Sequence, residues 1–192
     1  MYYFKNIGSS GPRVLLLHGL YATAGTWIPV LKYFKECKVT LITIDYHKAI
    51  LEGEFSELVS EVSSKLSFDF HTVIVHSFGS LCLNFLDLKS KNNLYISPPF
   101  LASKFSCERY LHSISSSTNY GFDEISLVVK RAIQMSMNIN MKPVATDIFL
   151  LPASDEYFVY ENKIFSVHYF PGTHSTVDLA VACAFSKNLI SY

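Results

Sequence analysis

The chain has 192 residues, of which 49 % are hydrophobic and 17 % are charged. This length and composition predict a single domain over residues 1–192 with a substantial core, and they argue against disorder. Sixteen basic residues balance sixteen acidic ones, so the bulk charge points neither to a nucleic-acid partner nor to a membrane surface.

Targeting, membrane and metal-binding patterns are not found in the sequence. No basic segment leads into a long apolar run near the N-terminus, so we expect no signal peptide. No stretch reaches the ~18 apolar residues that a membrane span needs. The cysteines lack the C-x-x-C spacing of zinc or redox sites, and they are Cys37, Cys82, Cys107 and Cys183. We therefore expect reduced cysteines in a cytoplasmic protein that uses neither a metal nor a cofactor.

Short apolar runs alternate along the chain with segments whose apolar residues recur at helical spacing. The predicted strands are residues 2–7, 14–17, 39–45, 72–75, 93–97, 147–151 and 164–170. The predicted helices are residues 26–34 (capped by Thr26), 55–66, 78–88, 102–113 and 124–137, with a last helix beginning near Ser175. This alternation is typical of an α/β protein with a mostly parallel sheet and helices on both faces. Ligands of such sheets bind beyond the carboxyl ends of the strands.

The most informative stretch is residues 72–80. A β-branched run ends at Ser77, and a helical pattern begins directly after it. A strand, a tight turn and a helix in this order place the serine hydroxyl at the exposed crest of a sharp bend. The G-x-S-x-G pattern of such bends is matched at Ser77 and Gly79, whereas Val75 stands where the first glycine would be.

Three further polar features follow predicted strands: the His18-Gly19 pair, Asp155 and His174. Serine, aspartate and histidine thus occur in one of the chain orders known for nucleophile–base–acid triads. A serine hydroxyl needs an imidazole to take its proton and a carboxylate to orient that imidazole. Glu156, directly after Asp155, remains an alternative for the acid.

With these features in this order, the sequence resembles the α/β-hydrolase superfamily over nearly its whole length. The resemblance rests on residues 8–19, 75–80, 152–155 and 172–174. It implies that Ser77 is the nucleophile, His174 the base and Asp155 the orienting acid, with an oxyanion hole formed by the backbone N–H groups of Leu20 and Phe78. The implied activity is that of a small serine esterase or thioesterase similar to the pimeloyl-acyl-carrier-protein methyl ester esterases of biotin biosynthesis.

Two positions depart from the superfamily pattern. Val75 stands where a small residue usually precedes the strained turn, and Ser80 stands where many relatives have a second glycine. Either the bend at Ser77 is less strained than usual, or its surroundings are able to accommodate Val75.

Six other histidines compete with His174 for the role of base. His76 adjoins Ser77, but neighbouring strand residues point to opposite faces, so His76 is not expected to be the base. We expect His18 to form hydrogen bonds within its own loop and His168 to be a satisfied strand residue. No role is predicted for His47, His71 and His112.

Residues 100–143 interrupt the alternation at the position where many α/β-hydrolases insert a lid. We expect a reduced helical lid over a rather open site. Five basic and three acidic residues make this segment mildly basic in a neutral chain, which would suit an acidic acyl carrier protein as a partner. The expected substrate-binding residues are Tyr21, Phe105, Tyr110, Lys130 and Arg131, although aromatic residues of a lid also serve simply to pack it onto the sheet.

Three functions therefore remain open. The first is a serine esterase that cleaves a small-molecule or carrier-protein-bound acyl ester. The second is an acyl-thioesterase or acyltransferase with the same triad. The third is a binding protein that has the fold without the chemistry.

Overall fold

The apolar runs assemble into a central β-sheet in a computed structural model, which describes residues 1–66, 68–139, 144–160 and 167–192. The strands of the described residues are β1 (Tyr2–Ile7), β2 (Arg13–Leu17), β3 (Lys38–Ile44), β4 (Phe70–His76), β5 (Ser90–Ile96), β6 (Ala102–Phe105), β7 (Asp147–Pro152), β8 (Phe158–Tyr160) and β9 (Val167–Phe170). Seven of them form one sheet in the order β1-β3-β2-β4-β5-β7-β9. Only β1 is antiparallel to its neighbour in this sheet.

The helices lie on both sides of the sheet, as the alternation predicted. The α-helices of the described residues are α1 (Tyr46–Glu52), α2 (Phe55–Lys65), α3 (Cys107–Ser115), α4 (Phe122–Met137) and α5 (Val177–Ser186). The same described residues also form 3₁₀ helices at Ala24–Phe34, Ser77–Asn84 and Pro99–Leu101. No helix of the described residues is both long and apolar enough to cross a membrane.

The central strands are buried on both faces, which explains why they read as continuous apolar runs. Leu15 and Leu17 of β2 pack with α2 and α4 side chains on one face of the sheet. Leu16 of β2 and Ile74 of β4 pack with the first 3₁₀ helix and α5 on the other face. β2 and β4 are parallel neighbours in the sheet, so their carboxyl ends lie side by side between two hydrophobic cores.

The predicted bounds and type were wrong for the first helix and for the helix after Ser77. The first helix is a 3₁₀ helix that begins at Ala24, and Thr23 rather than Thr26 caps it by accepting a hydrogen bond from the N–H of Gly25. The helix after Ser77 is also a 3₁₀ helix, and it ends at Asn84 rather than near Leu88. It ends early because the chain must turn back within a few residues to begin β5 at Ser90.

Helix α1 was not predicted, because seven residues are too few to show a helical period. Its ends nevertheless carry local signals. The Asp45 carboxylate accepts a hydrogen bond from the N–H of Lys48 at the start, and Gly53 ends the helix in the left-handed region with φ 78°. An aspartate cap and a glycine stop are the usual signs of such a short helix.

Residues 102–105 form strand β6 and not the beginning of a helix, as the sequence had suggested. β6 pairs antiparallel with β8, more than fifty residues further along the chain. This pairing is non-local, so no local pattern reveals it. The other end of the expected lid, residues 140–143, lies outside the described residues, as do residues 164–166 of the predicted last strand.

Candidate active site

Ser77 occupies a strained turn between β4 and the 3₁₀ helix that follows. Its φ of 49° lies in the left-handed region, which costs a non-glycine residue free energy and is often found at functional sites. The strain is thus present even though Val75 replaces the usual small residue. Val75 is fully buried and packs in the core with Leu17 and Phe78, which is how its side chain is accommodated.

The turn at Ser77 packs directly against the His18-Gly19 loop. A Cβ atom added to Gly79 would lie 2.3 Å from the carbonyl oxygen of His18, so no side chain fits at position 79. A Cβ atom added to Gly19 would lie 3.1 Å from the Cβ of Ser77. These two close approaches bring the backbone next to Leu20 alongside the serine.

A continuous hydrogen-bonded chain joins Ser77, His174 and Asp155. The Nε2 atom of His174 lies 2.8 Å from the Ser77 hydroxyl, and its Nδ1 atom lies 3.0 Å from a carboxylate oxygen of Asp155. All three side chains are almost completely buried. The carboxylate can only accept, so Nδ1–H donates to Asp155 and Nε2 is left to accept the serine proton.

The Asp155 carboxylate is held ionised by its hydrogen bonds. Burial raises the pKa of Asp155, but the hydrogen bond and charge of His174 and the N–H groups of Tyr157 and Phe158 outweigh it, and the pKa falls below its usual value. Both N–H groups lie 2.8 Å from the second carboxylate oxygen. Asp155 therefore orients the imidazole and also shapes the turn into β8.

Two further side chains hold the main chain of His174. A carboxylate oxygen of Glu156 accepts a hydrogen bond of 3.0 Å from the His174 N–H. The Nε2–H of His76 donates to the His174 carbonyl oxygen at 2.8 Å. Glu156, the alternative acid, is thus hydrogen-bonded to the backbone of His174, whereas Asp155 is hydrogen-bonded to its ring.

The role of His76 was missed at the sequence level, where strand alternation only placed it on the face opposite Ser77. Burial, together with nearby His174, lowers the pKa of His76 to about 3, so its ring is neutral. No strand-level signal could have shown that this ring reaches a loop almost one hundred residues away.

His18 forms the hydrogen bond within its own loop that was expected of it, and a second one to strand β3 that was not expected. Its Nδ1–H donates to the carbonyl oxygen of Gly19 at 2.8 Å, and its Nε2 accepts from the N–H of Ile44 at 3.0 Å. Burial also lowers the pKa of His18. A neutral His18 thereby fastens the loop before Leu20 to strand β3.

Aromatic side chains pack against the imidazole of the hydrogen-bonded chain. Ser77 is only 5 % exposed and His174 only 3 %. The rings of Tyr157 and Phe158 lie 5.5 and 5.1 Å from the His174 ring. Both belong to the segment around β8 that pairs with β6, and we call the rings of Phe105, Tyr110, Tyr157 and Phe158 the aromatic wall.

Two of the five expected substrate-binding residues, Phe105 and Tyr110, pack against the aromatic side chains near His174. Phe105 packs on Phe158 with ring centroids 4.9 Å apart, and Tyr110 packs on Tyr157 at 5.1 Å. Those two residues thus lie in the aromatic wall beside His174. The other three, Tyr21, Lys130 and Arg131, lie outside the aromatic wall.

Arg131, Lys130 and Tyr21 make contacts away from the imidazole. The Arg131 guanidinium donates hydrogen bonds to the carbonyl oxygens of Ile50 and Leu51, at the end of α1. Lys130 is exposed beside a groove of about 370 Å³ whose wall includes Phe105. The Tyr21 hydroxyl lies 2.9 Å from a ring nitrogen of His47, a histidine for which no role had been predicted.

Metal ligation has no candidate in the part of the chain that the structure describes. No three His, Cys, Asp or Glu side chains among those residues are arranged to hold a metal ion.

Solved structures share this architecture at low sequence identity. No family model matches the chain, and no curated protein matches it. An esterase from a marine microorganism is 15 % identical with a TM-score of 0.58, and a type II thioesterase of the borrelidin biosynthetic cluster is 14 % identical with a TM-score of 0.60. A monoacylglycerol lipase of Paleococcus ferrophilus is 13 % identical with a TM-score of 0.62. Each match covers 98 % of both chains. The chain has the α/β-hydrolase fold, which confirms the predicted fold class.

The neutral state of His76 predicts how stability depends on pH. The folded-state pKa of about 3 lies below the ordinary 6.5, so at pH 5 the unfolded chain binds a proton that the folded protein does not. The wild type should therefore lose on the order of 2 kcal/mol through this group between pH 7 and pH 5. His76→Gln keeps an N–H donor but cannot titrate, so its stability should fall by correspondingly less.

Urea unfolding at both pH values measures this difference. His112→Gln, at an exposed position of α3, is the matched control and should follow the wild type. Equal losses in the wild type and in His76→Gln would mean that His76 is protonated in the folded protein.

Proposed function

We propose that this chain is a serine hydrolase of carboxylic esters. The observation that carries the proposal is the buried hydrogen-bonded chain from the Ser77 hydroxyl through His174 to Asp155. It is supported by the strained backbone of Ser77, which is typical of the nucleophile turn in α/β-hydrolases. The names of the structural neighbours, an esterase, a lipase and a thioesterase, agree with it.

In the first step Ser77 attacks the ester carbonyl carbon while His174 Nε2 takes the hydroxyl proton. Asp155 holds the imidazole in the tautomer that leaves Nε2 free, and it stabilises the imidazolium that forms. The carbonyl oxygen becomes negatively charged in the tetrahedral intermediate. Its expected partners are the backbone N–H groups of Phe78, in the first turn of the 3₁₀ helix, and Leu20.

Collapse of this intermediate releases the alcohol and leaves an acyl group on Ser77. His174 returns its proton to the departing oxygen, so no free alkoxide has to form. A water molecule then attacks the acyl-enzyme, again with His174 as base, and releases the carboxylic acid. The hydrogen bonds that the side chains of Glu156 and His76 form with the His174 backbone keep the imidazole in place for both half-reactions.

We propose an acyl substrate whose apolar part contacts the aromatic wall. Phe105 connects the wall to the groove of about 370 Å³, which is also lined by Ile133 and Met137. In this proposal residues 100–143 act as a lid that selects the acyl group. Lys130, at the groove, would favour a negatively charged carrier, such as an acyl carrier protein bearing a methyl ester of a pimeloyl type.

A thioester is the alternative substrate, because the same triad cleaves either bond and one structural neighbour is named a thioesterase. Rates measured with oxygen esters and thioesters of matched acyl chains distinguish the two. The four cysteines are free thiols, which is typical of a reducing compartment. We therefore propose that the reaction takes place in the cytoplasm.

Ser77→Ala should abolish turnover and labelling by a fluorophosphonate probe. The Ser77 Oγ is the atom that attacks, and its removal leaves the backbone unchanged. The expected loss in kcat is at least about 10³-fold, with thermal unfolding close to that of the wild type. A folded Ser77→Ala protein with more than a few per cent of wild-type esterase activity would show that another residue is the nucleophile.

Asp155→Asn should lower kcat by about 10³- to 10⁴-fold, because an amide favours the wrong imidazole tautomer. Glu156→Gln is the matched variant, since it makes the same chemical change at the next position. The Gln side chain still offers an oxygen to the His174 N–H, so we expect a loss of less than about tenfold. Steady-state kinetics on one soluble ester compare the two variants. The reverse ranking would assign the orienting role to Glu156.

Lys130→Glu should reduce kcat/KM about fivefold or more for an ester presented on an acyl carrier protein. Hydrolysis of a small soluble ester should be unchanged, and the carrier effect should shrink at high salt because exposed charges are screened. Lys5→Glu, on the edge strand β1, is the matched control. Arg131 is left intact because its hydrogen bonds connect α4 to α1. An equal effect on both substrates, or none on either, would exclude Lys130 from a surface that binds a carrier protein.

A further inference from the structure

A second hydroxyl–imidazole–carboxylate chain lies beside the candidate oxyanion loop. The Tyr21 hydroxyl is 2.9 Å from His47 Nδ1, and His47 Nε2 is 2.6 Å from a carboxylate oxygen of Glu124. We call these three side chains the tyrosine relay. We infer that the tyrosine relay positions the backbone of Leu20 for oxyanion binding. This inference rests on the function proposed above.

The direction of each hydrogen bond follows from the groups themselves. Burial, reinforced by the nearby Tyr120 and Glu124, raises the pKa of Tyr21, so the phenol keeps its proton. The Glu124 carboxylate can only accept, so His47 donates to it through Nε2–H. His47 Nδ1 then accepts a hydrogen bond from the Tyr21 hydroxyl. Tyr21 is thus held at its hydroxyl end by a histidine whose tautomer Glu124 determines.

Tyr21 needs such an anchor because its backbone is strained. Its φ of 58° is left-handed, which is unfavourable for a residue with a bulky side chain. Tyr21 directly follows Leu20, so the orientation of the Leu20 peptide groups depends on whether this conformation is kept. The Leu20 carbonyl oxygen also lies 3.4 Å from the Tyr110 hydroxyl. The residue is therefore fixed from both sides.

The tyrosine relay connects three separate elements. Tyr21 belongs to the loop after β2, His47 to α1 and Glu124 to the first turn of α4. The ring of Tyr120 stacks on His47 at 3.7 Å with an interplanar angle of 10°. The His47 side chain is only 6 % exposed. Through it, the helix that belongs to the proposed lid is joined to the loop that would bind the oxyanion.

The contacts of Tyr21 differ from those expected of a substrate-binding residue. Its hydroxyl is already satisfied by His47, and its ring packs 5.5 Å from the His47 ring and 6.4 Å from the Tyr120 ring. We therefore assign Tyr21 a positioning role. Loss of the hydroxyl should affect the transition state, which needs the Leu20 N–H, more than it affects substrate binding.

Tyr21→Phe tests the inference, because it removes one hydroxyl and keeps the ring. On a soluble ester, kcat should fall about tenfold with KM within twofold, since a small displacement of an oxyanion donor costs part of its contribution. The affinity for a trifluoromethyl ketone, whose adduct with serine carries an oxyanion, should fall by a similar factor. Tyr120→Phe makes the same change on the neighbouring ring and should alter both values less than twofold.

His47→Phe is the second variant, since it keeps a planar ring against Tyr120 and loses both hydrogen bonds. Its effect should match that of Tyr21→Phe, and the double variant should be no worse than either, because all three break one chain. Melting temperatures check that each variant folds.

The outcomes separate this inference from the proposed function. A wild type that neither hydrolyses esters nor reacts with a fluorophosphonate overturns the proposed function, and this inference with it. An active wild type whose Tyr21→Phe variant keeps kcat and ketone affinity within twofold overturns the inference alone. A change confined to KM would instead return Tyr21 to a substrate-binding role, and additive losses in the double variant would exclude a single relay.

Discussion

The hydrogen bonds that converge on His174 are the interactions on which the rest of the site depends. Its two ring nitrogens form hydrogen bonds with Ser77 and Asp155. Its backbone N–H and C=O form hydrogen bonds with Glu156 and His76. A histidine on a loop would otherwise sample several rotamers and backbone positions, and restricting it to one of them costs conformational entropy. Four contacts in a buried environment, where hydrogen bonds are electrostatically stronger, select one geometry.

The same contacts connect the hydrogen-bonded chain to the aromatic wall. Asp155 orients the imidazole with one carboxylate oxygen. With the other it accepts hydrogen bonds from the N–H groups of Tyr157 and Phe158. Those residues lead into β8, which pairs with β6 at the start of the segment expected to form a lid. Two residues of the aromatic wall, Tyr157 and Phe158, are therefore hydrogen-bonded directly to Asp155 through their backbone N–H groups.

Polar residues outside the predicted triad complete the arrangement. His76 and His18 are neutral because burial lowers the pKa of each, and both use their rings as hydrogen-bonding groups for backbone atoms. His47 serves Tyr21 and Glu124 in a similar way. Unpaired buried polar groups are costly, which favours these hydrogen bonds between buried ring nitrogens and neighbouring segments of the chain.

The sequence by itself determined the alternation of the strands and helices of the main sheet, apart from α1, β6 and β8, and the identity of the residues at the strand ends. Apolar runs and helical periods are local, so β2, β4 and α2 could be read directly, and so could the position of Ser77 at a turn. Only the tertiary structure decided what those residues contact. His174 lies 97 residues from Ser77 and 98 from His76, and pairings over such separations leave no periodic trace in the chain. The β6–β8 pairing, the choice of Asp155 over Glu156 as partner of the ring, and the contact of His47 with Tyr21 were settled by packing, because they depend on how separate elements meet in space.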